Sequence, residues 1–153
     1  EKLEPGLVGF RSHENMWDLD ARRINYVSTA AKFEFSTMAF GCALGLSESI
    51  DFIYKTGVET IFQHNKLLSD RLIEGMLEIG AKITSPLNDK DRTSIVRAHI
   101  ESVDTYQLKN GLQNAQIFVS TRGNSIRFSP HLYNTLDDID KAINEIKKWL
   151  RNN

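Results

Sequence analysis

The chain predicts an α+β fold, with a small, mainly antiparallel sheet and helices on one of its faces, and three observations lead there. Two helical patterns, Met38–Tyr54 and Val58–Ile79, precede any strand-like run. After Gly80 short strand patterns alternate with helical ones, and Gly123-Asn124 marks a hairpin turn between two of those strands. A last helix, Thr135 to about Leu150, carries a single apolar stripe, as a helix lying on a sheet does. At 153 residues and 41% apolar content, one domain with a real core is possible.

Residues 1–37 have weak periodicity, with Pro5, Gly6 and Gly9 early and a polar stretch from Arg11 to Asn15, and read as a connecting segment. Residues 38–153 read as a small domain with its connecting helices. In Met38–Tyr54 the apolar residues Phe40, Ala43, Leu44, Leu46, Ile50, Phe52 and Ile53 fall nearly all round the helical wheel, so this helix is expected to be buried. Gly57 is its natural stop. The second helix has a narrower stripe, Ile61, Leu68, Leu72, Met76 and Ile79, with Glu59, Lys66, Asp70 and Glu74 outside it.

Strands are expected next at Ala81–Thr84 and Thr93–Ile100, the latter alternating Arg97 and His99 on one face. A helix from about Val103 to Leu112 leads to a strand at Ala115–Ser120, and the return strand carries Ile126-Arg127-Phe128. Pro130 stops that strand, because it has no N–H to give to a ladder. Thr135 is placed as an N-cap and Asp138, three residues on, as the acidic partner of a capping box. Asp137, Asp138 and Asp140 open the last helix and Lys147, Lys148 and Arg151 close it, in keeping with the helix dipole.

A net charge of −1 gives no electrostatic reason for binding nucleic acid or an anionic membrane surface. The nearly apolar run Met38–Leu46 is far short of the ~20 residues of a membrane span. The single cysteine, Cys42, allows no internal disulfide, fits a reducing cytoplasm, and is expected to be a small buried hydrophobe in its apolar helix. His13, His64, His99 and His131 lack metal-ligand spacing, so no metal is expected.

Arg127 is the candidate binding residue. It stands near the end of a strand, on the face opposite Ile126 and Phe128, and a guanidinium held there suits bidentate capture of a carboxylate. The plain alternative is a surface pair with an acidic neighbour such as Glu101. Ser36 and Thr37 sit where N-caps of the following helix belong, and with its N-terminus they also suit an anion site; the two readings can hold together.

Three segments carry a resemblance. Ser125–Asp140, with Arg127 before Tyr133-Asn134-Thr135, resembles the C-terminal signature of class V aminotransferases. These are the pyridoxal-phosphate (PLP) enzymes of fold type I that include cysteine desulfurases, selenocysteine lyases and kynureninases. Lys32-Phe33-Glu34-Phe35-Ser36-Thr37 is similar to the family's basic-Phe-Glu-x-Gly-Thr segment, with Ser36 where the family has glycine. Leu7-Val8-Gly9-Phe10-Arg11-Ser12 resembles its Val-Gly-Trp-Arg-Ser, with Phe10 for tryptophan.

The resemblance implies that the chain is the C-terminal small domain of a transferase or lyase, plus a long connecting helix, with residues 1–37 leading from the large PLP-binding domain. It implies that Arg127 binds the α-carboxylate of an amino-acid substrate. Thr37 and Ser36 would contact the cofactor phosphate, usually that of the neighbouring subunit in a homodimer. Enzymes of this kind hold PLP on a lysine, commonly in a Ser-x-His-Lys segment, and no His-Lys pair occurs here. No catalytic residue is therefore expected in this chain, which by itself is expected to be inactive. The desulfurases carry a sulfur-accepting cysteine in the loop before the carboxylate arginine, and Ser120–Ser125 has none. The competing expectation is a free-standing α+β module that binds a small anion or a partner protein without catalysis.

Overall fold

Alternation along two strands sets the core. In the computed structural model, which describes residues 3–34 and 36–152, β2 (Val96–His99) and β4 (Ser125–Phe128) pair antiparallel with Val96 opposite Phe128 and Ala98 opposite Ile126. All four of those side chains are buried. β1 (Lys82–Ile83) adds to the outer edge of β2, and β3 (Ser120–Arg122) to that of β4, giving the order β1-β2-β4-β3 with antiparallel neighbours throughout.

Three helices cover the apolar face: α2 (Val58–Glu78), α3 (Thr105–Asn114) and α4 (Leu136–Asn152). Leu68, Leu72 and Met76 of α2, Leu108 and Leu112 of α3, and Ile139, Ile143 and Ile146 of α4 form one cluster with the four strand residues. This is the α+β arrangement read from the sequence. α2 and α4 approach closely because Gly75 lacks a side chain: a Cβ there would lie 2.8 Å from Ile143 Cγ1, inside contact distance. Gly123, at φ 59°, supplies the left-handed residue of the β3–β4 hairpin.

The chain divides into two compact units, one through Phe52 and one from Ile53. The sheet and its helices lie in the second. In the first, two 3-10 turns, Phe10–Ser12 and Ala30–Phe33, are joined by the Arg11–Glu34 ion pair at 3.0 Å, and His13 bridges to Tyr26.

Two expectations fail. The helix expected at Met38–Tyr54 forms as α1 (Phe40–Thr56), ending at Gly57 with φ 92°, but none of its residues is buried. Its apolar residues fall all round the wheel, so covering them needs more surface than these residues meet. Cys42 is correspondingly exposed, not buried.

The strand expected at Ala115–Ser120 is also shorter. Ala115 ends α3 and Gln116 takes a left-handed φ of 61°, so the ladder begins only at Ser120. Residues 117–119 keep the alternation, with Ile117 and Val119 packed on the core and Phe118 exposed, but they pair with no strand among the described residues.

Candidate functional site

With the apolar residues of β2 and β4 turned to the helices, their alternate residues share the other face of the sheet. The register places Arg127 opposite Arg97 on one side and Ser120 on the other. His99 lies opposite Lys82, and Ser125 opposite Arg122. No strand of the sheet contributes a carboxylate to this face.

Arg127 therefore sits near the middle of a basic surface, on an inner strand fixed from both sides. Its side chain is half-buried, and its Nε is shielded from solvent without a hydrogen-bond partner. Glu101, the neighbour that would have made it an ordinary surface pair, is 92% exposed and instead lies 3.5 Å from His99 Nε2. A half-buried guanidinium with an unused Nε–H donor, held on an inner strand, is suited to an incoming carboxylate.

The chain leaves Arg127 through a hydrogen-bonded turn. Asn134 Oδ1 accepts from the His131 backbone N–H at 3.0 Å, and the Asn134 carbonyl lies 2.9 Å from His64 Nε2 on α2. His131 stacks on Tyr133 at 5.7 Å between ring centroids, which is a structural role. The capping box forms as expected: Asp138 N–H donates to Thr135 Oγ1 at 3.2 Å and Thr135 N–H to Asp138 Oδ2 at 2.9 Å. Thus within Tyr133-Asn134-Thr135 the last two residues shape the turn and start α4. Beside this turn, Phe128, Pro130, Tyr133 and Asn134 help to line a cleft of about 340 Å³.

The Thr135 N–H holds the Asp138 carboxyl below its ordinary value of 3.8. A carboxylate with a lowered folded pKa stabilises above its unfolded pKa, and that contribution is lost as pH falls through the folded value. The stability gap between the protein and its Asp138→Asn variant is therefore expected to shrink between about pH 5 and about pH 3, measured by urea unfolding. A gap independent of pH would contradict the ionised cap.

Ser36 and Thr37 lie in the first unit, Arg127 in the second. Both hydroxyl residues are exposed. α1 begins at Phe40, and Ala43 N–H donates to the Ala39 carbonyl at 3.0 Å, so neither Ser36 nor Thr37 is the N-cap. They stand just ahead of a helix whose first N–H groups have no intrahelical acceptor, a donor set that fits a phosphate. Phe35 of the same segment lies outside the described residues.

Sequence reasoning passed over His64, whose contact with Asn134 spans 70 residues, and the cross-strand position of Arg97. Neither has a local sequence signal, since both depend on tertiary pairing. Among the described residues there is no cluster able to hold a metal ion and no helix long and apolar enough to cross a membrane.

The family model described as aminotransferase class-V matches residues 12–142. An uncharacterized aminotransferase of Schizosaccharomyces pombe is 29% identical, over 99% of this chain and 38% of its own length. A probable cysteine desulfurase of Pyrococcus abyssi is 24% identical, over 97% of this chain and 40% of its own. Among solved structures, the apo cysteine desulfurase of Thermococcus onnurineus aligns over 98% of this chain and 40% of that one, with a TM-score of 0.82 and 21% identity. A mutant of the cystine C-S lyase C-DES, solved with glycine covalently linked to its PLP cofactor, aligns over 94% of this chain and 38% of that one, with a TM-score of 0.74 and 17% identity. The chain spans about two fifths of such relatives: 38% and 40% of the two curated proteins. Signature, fold and family match agree, and the chain belongs to the class V aminotransferase family.

Proposed function

We propose that the complete protein is a PLP-dependent enzyme acting on an amino acid, to which this chain contributes the substrate-carboxylate residue, Arg127. The observation that carries the reading is the Arg127 guanidinium itself: half-buried, on an inner strand, with a shielded and unpartnered Nε. The family match favours this over a free-standing binding module.

PLP, when bound, supplies the electron sink for charge released at the substrate α-carbon. Arg127 fixes the carboxylate, and that fixes which bond at the α-carbon stands perpendicular to the cofactor ring. A fork of two parallel N–H donors defines that orientation where a single point charge would not. The Ser36 and Thr37 hydroxyls, with N–H groups of the first turn of α1, would donate to the cofactor phosphate across a homodimer interface. The lysine that bonds PLP lies outside this chain, so the chain by itself has no activity, and its lone thiol fits the cytoplasm. The hairpin Arg122–Ser125 offers no thiol beside Arg127 to accept sulfur. Several reaction types share this arrangement, and transamination and elimination differ in groups beyond Arg127.

If Arg127 reads the carboxylate, an amino acid should be turned over about a hundredfold more efficiently than its carboxamide, which lacks the charge. Comparing kcat/KM for the two with the complete protein checks this; equal values would overturn the reading.

A further inference from the structure

Arg97 is the unexplained residue of the open sheet face. It lies directly opposite Arg127 on the neighbouring inner strand, which puts the two Cβ atoms ~4.5–5.5 Å apart. Like charges in that position repel and weaken the pairing. Both side chains are half-buried, and both Nε atoms are shielded from solvent with no hydrogen-bond partner. Among the described residues no carboxylate pairs with either guanidinium, although each of the other four arginines of the second unit finds an acidic or carbonyl partner: Arg71 binds Asp140, Arg92 binds Asp70, Arg122 bonds the Thr121 carbonyl and Arg151 that of Lys147.

The repulsion between these two half-buried cations at the centre of the sheet weakens the β2–β4 pairing. It is relieved when an anion enters. One carboxylate neutralises one of the two charges. Lys82 and Arg122 stand on the same face and no strand supplies an acid, so a single negative charge leaves the face strongly positive. Two acidic groups, each in the fork of its own arginine, match it.

We propose that Arg97 is a second anion-binding residue and that the site takes an amino acid bearing a second acidic group. Arg127 holds the α-carboxylate and Arg97 the acidic group of the side chain. This rests on the carboxylate role of Arg127 and goes beyond it by naming the substrate class.

The test is calorimetric binding to the complete protein of two probes of equal chain length, the dianion succinate and the monoanion butyrate. Arg97→Gln is expected to weaken succinate about tenfold or more, the worth of a charge-assisted hydrogen bond, and to leave butyrate within about twofold. Arg97→Lys, which keeps the charge but not the fork, should lose less than Arg97→Gln and guards against a folding defect in the latter. If Arg97→Gln leaves succinate unchanged, or weakens both probes equally, the second anion site is wrong while Arg127 keeps its role. If Arg127→Ala leaves butyrate binding intact, the carboxylate role falls, and the proposal with it.

Discussion

Replacing Arg127 with alanine in the complete protein is expected to lower kcat/KM for its amino-acid substrate roughly a hundred- to a thousandfold. A bidentate arginine contributes two charge-assisted hydrogen bonds of about 1.5–3 kcal/mol each, and the lower end applies to a side chain that is only half-buried. The loss should divide between the two constants. KM rises because the carboxylate is bound in the ground state, and kcat falls because the α-carbon is no longer held in one orientation. Arg127→Lys should recover part of the binding and little of kcat, since a point charge restores attraction without the planar fork. Kinetics within about twofold of the unsubstituted protein would contradict the assignment.

The second large effect concerns α1. Phe40, Leu44, Leu46, Ile50 and Phe52 are 56–70% exposed along one helix, an apolar surface that single-chain proteins rarely leave open. The chain produced by itself is therefore expected to self-associate at micromolar concentration, read by sedimentation or light scattering. Leu44→Lys combined with Ile50→Lys should shift it strongly toward monomer, because charge on that helix surface opposes burial. A clean monomer without those substitutions would contradict this and would favour the free-standing binding module.

The same helix marks where the sequence was legible and where it was not. Periodicity identifies a helix and how many of its faces are apolar, and α1 forms within two residues of its expected ends, Phe40–Thr56 against Met38–Tyr54. Periodicity says nothing of whether the chain itself supplies the cover, so the burial expected for α1 and for Cys42 fails. Local chemistry read better. The Thr135–Asp138 capping box depends on residues three apart and forms as expected, and the Gly123 hairpin likewise. Ladders read worse, because Ile117–Val119 has a strand's alternation without a partner strand.

Around the candidate site, the strand position of Arg127 was legible through the alternation on either side of it. Its cross-strand neighbour was not. Arg97 is 30 positions upstream, and that the two face each other comes from the β2–β4 register, which no local pattern encodes. For Ser36 and Thr37 the structure bears on the capping reading alone. An N-cap and an anion site look alike in sequence, and the start of α1 at Phe40 removes the first of the two.

The most direct test of the central claim combines substitution and substrate. It measures kcat/KM for an amino acid and its carboxamide with the complete protein and with Arg127→Ala. If Arg127 holds the carboxylate, the roughly hundredfold preference for the acid collapses to within a few-fold in the variant, because the group that reads the charge is gone. If the variant keeps the full preference while losing activity on both, another residue reads the carboxylate and Arg127 acts only on the shape of the strand.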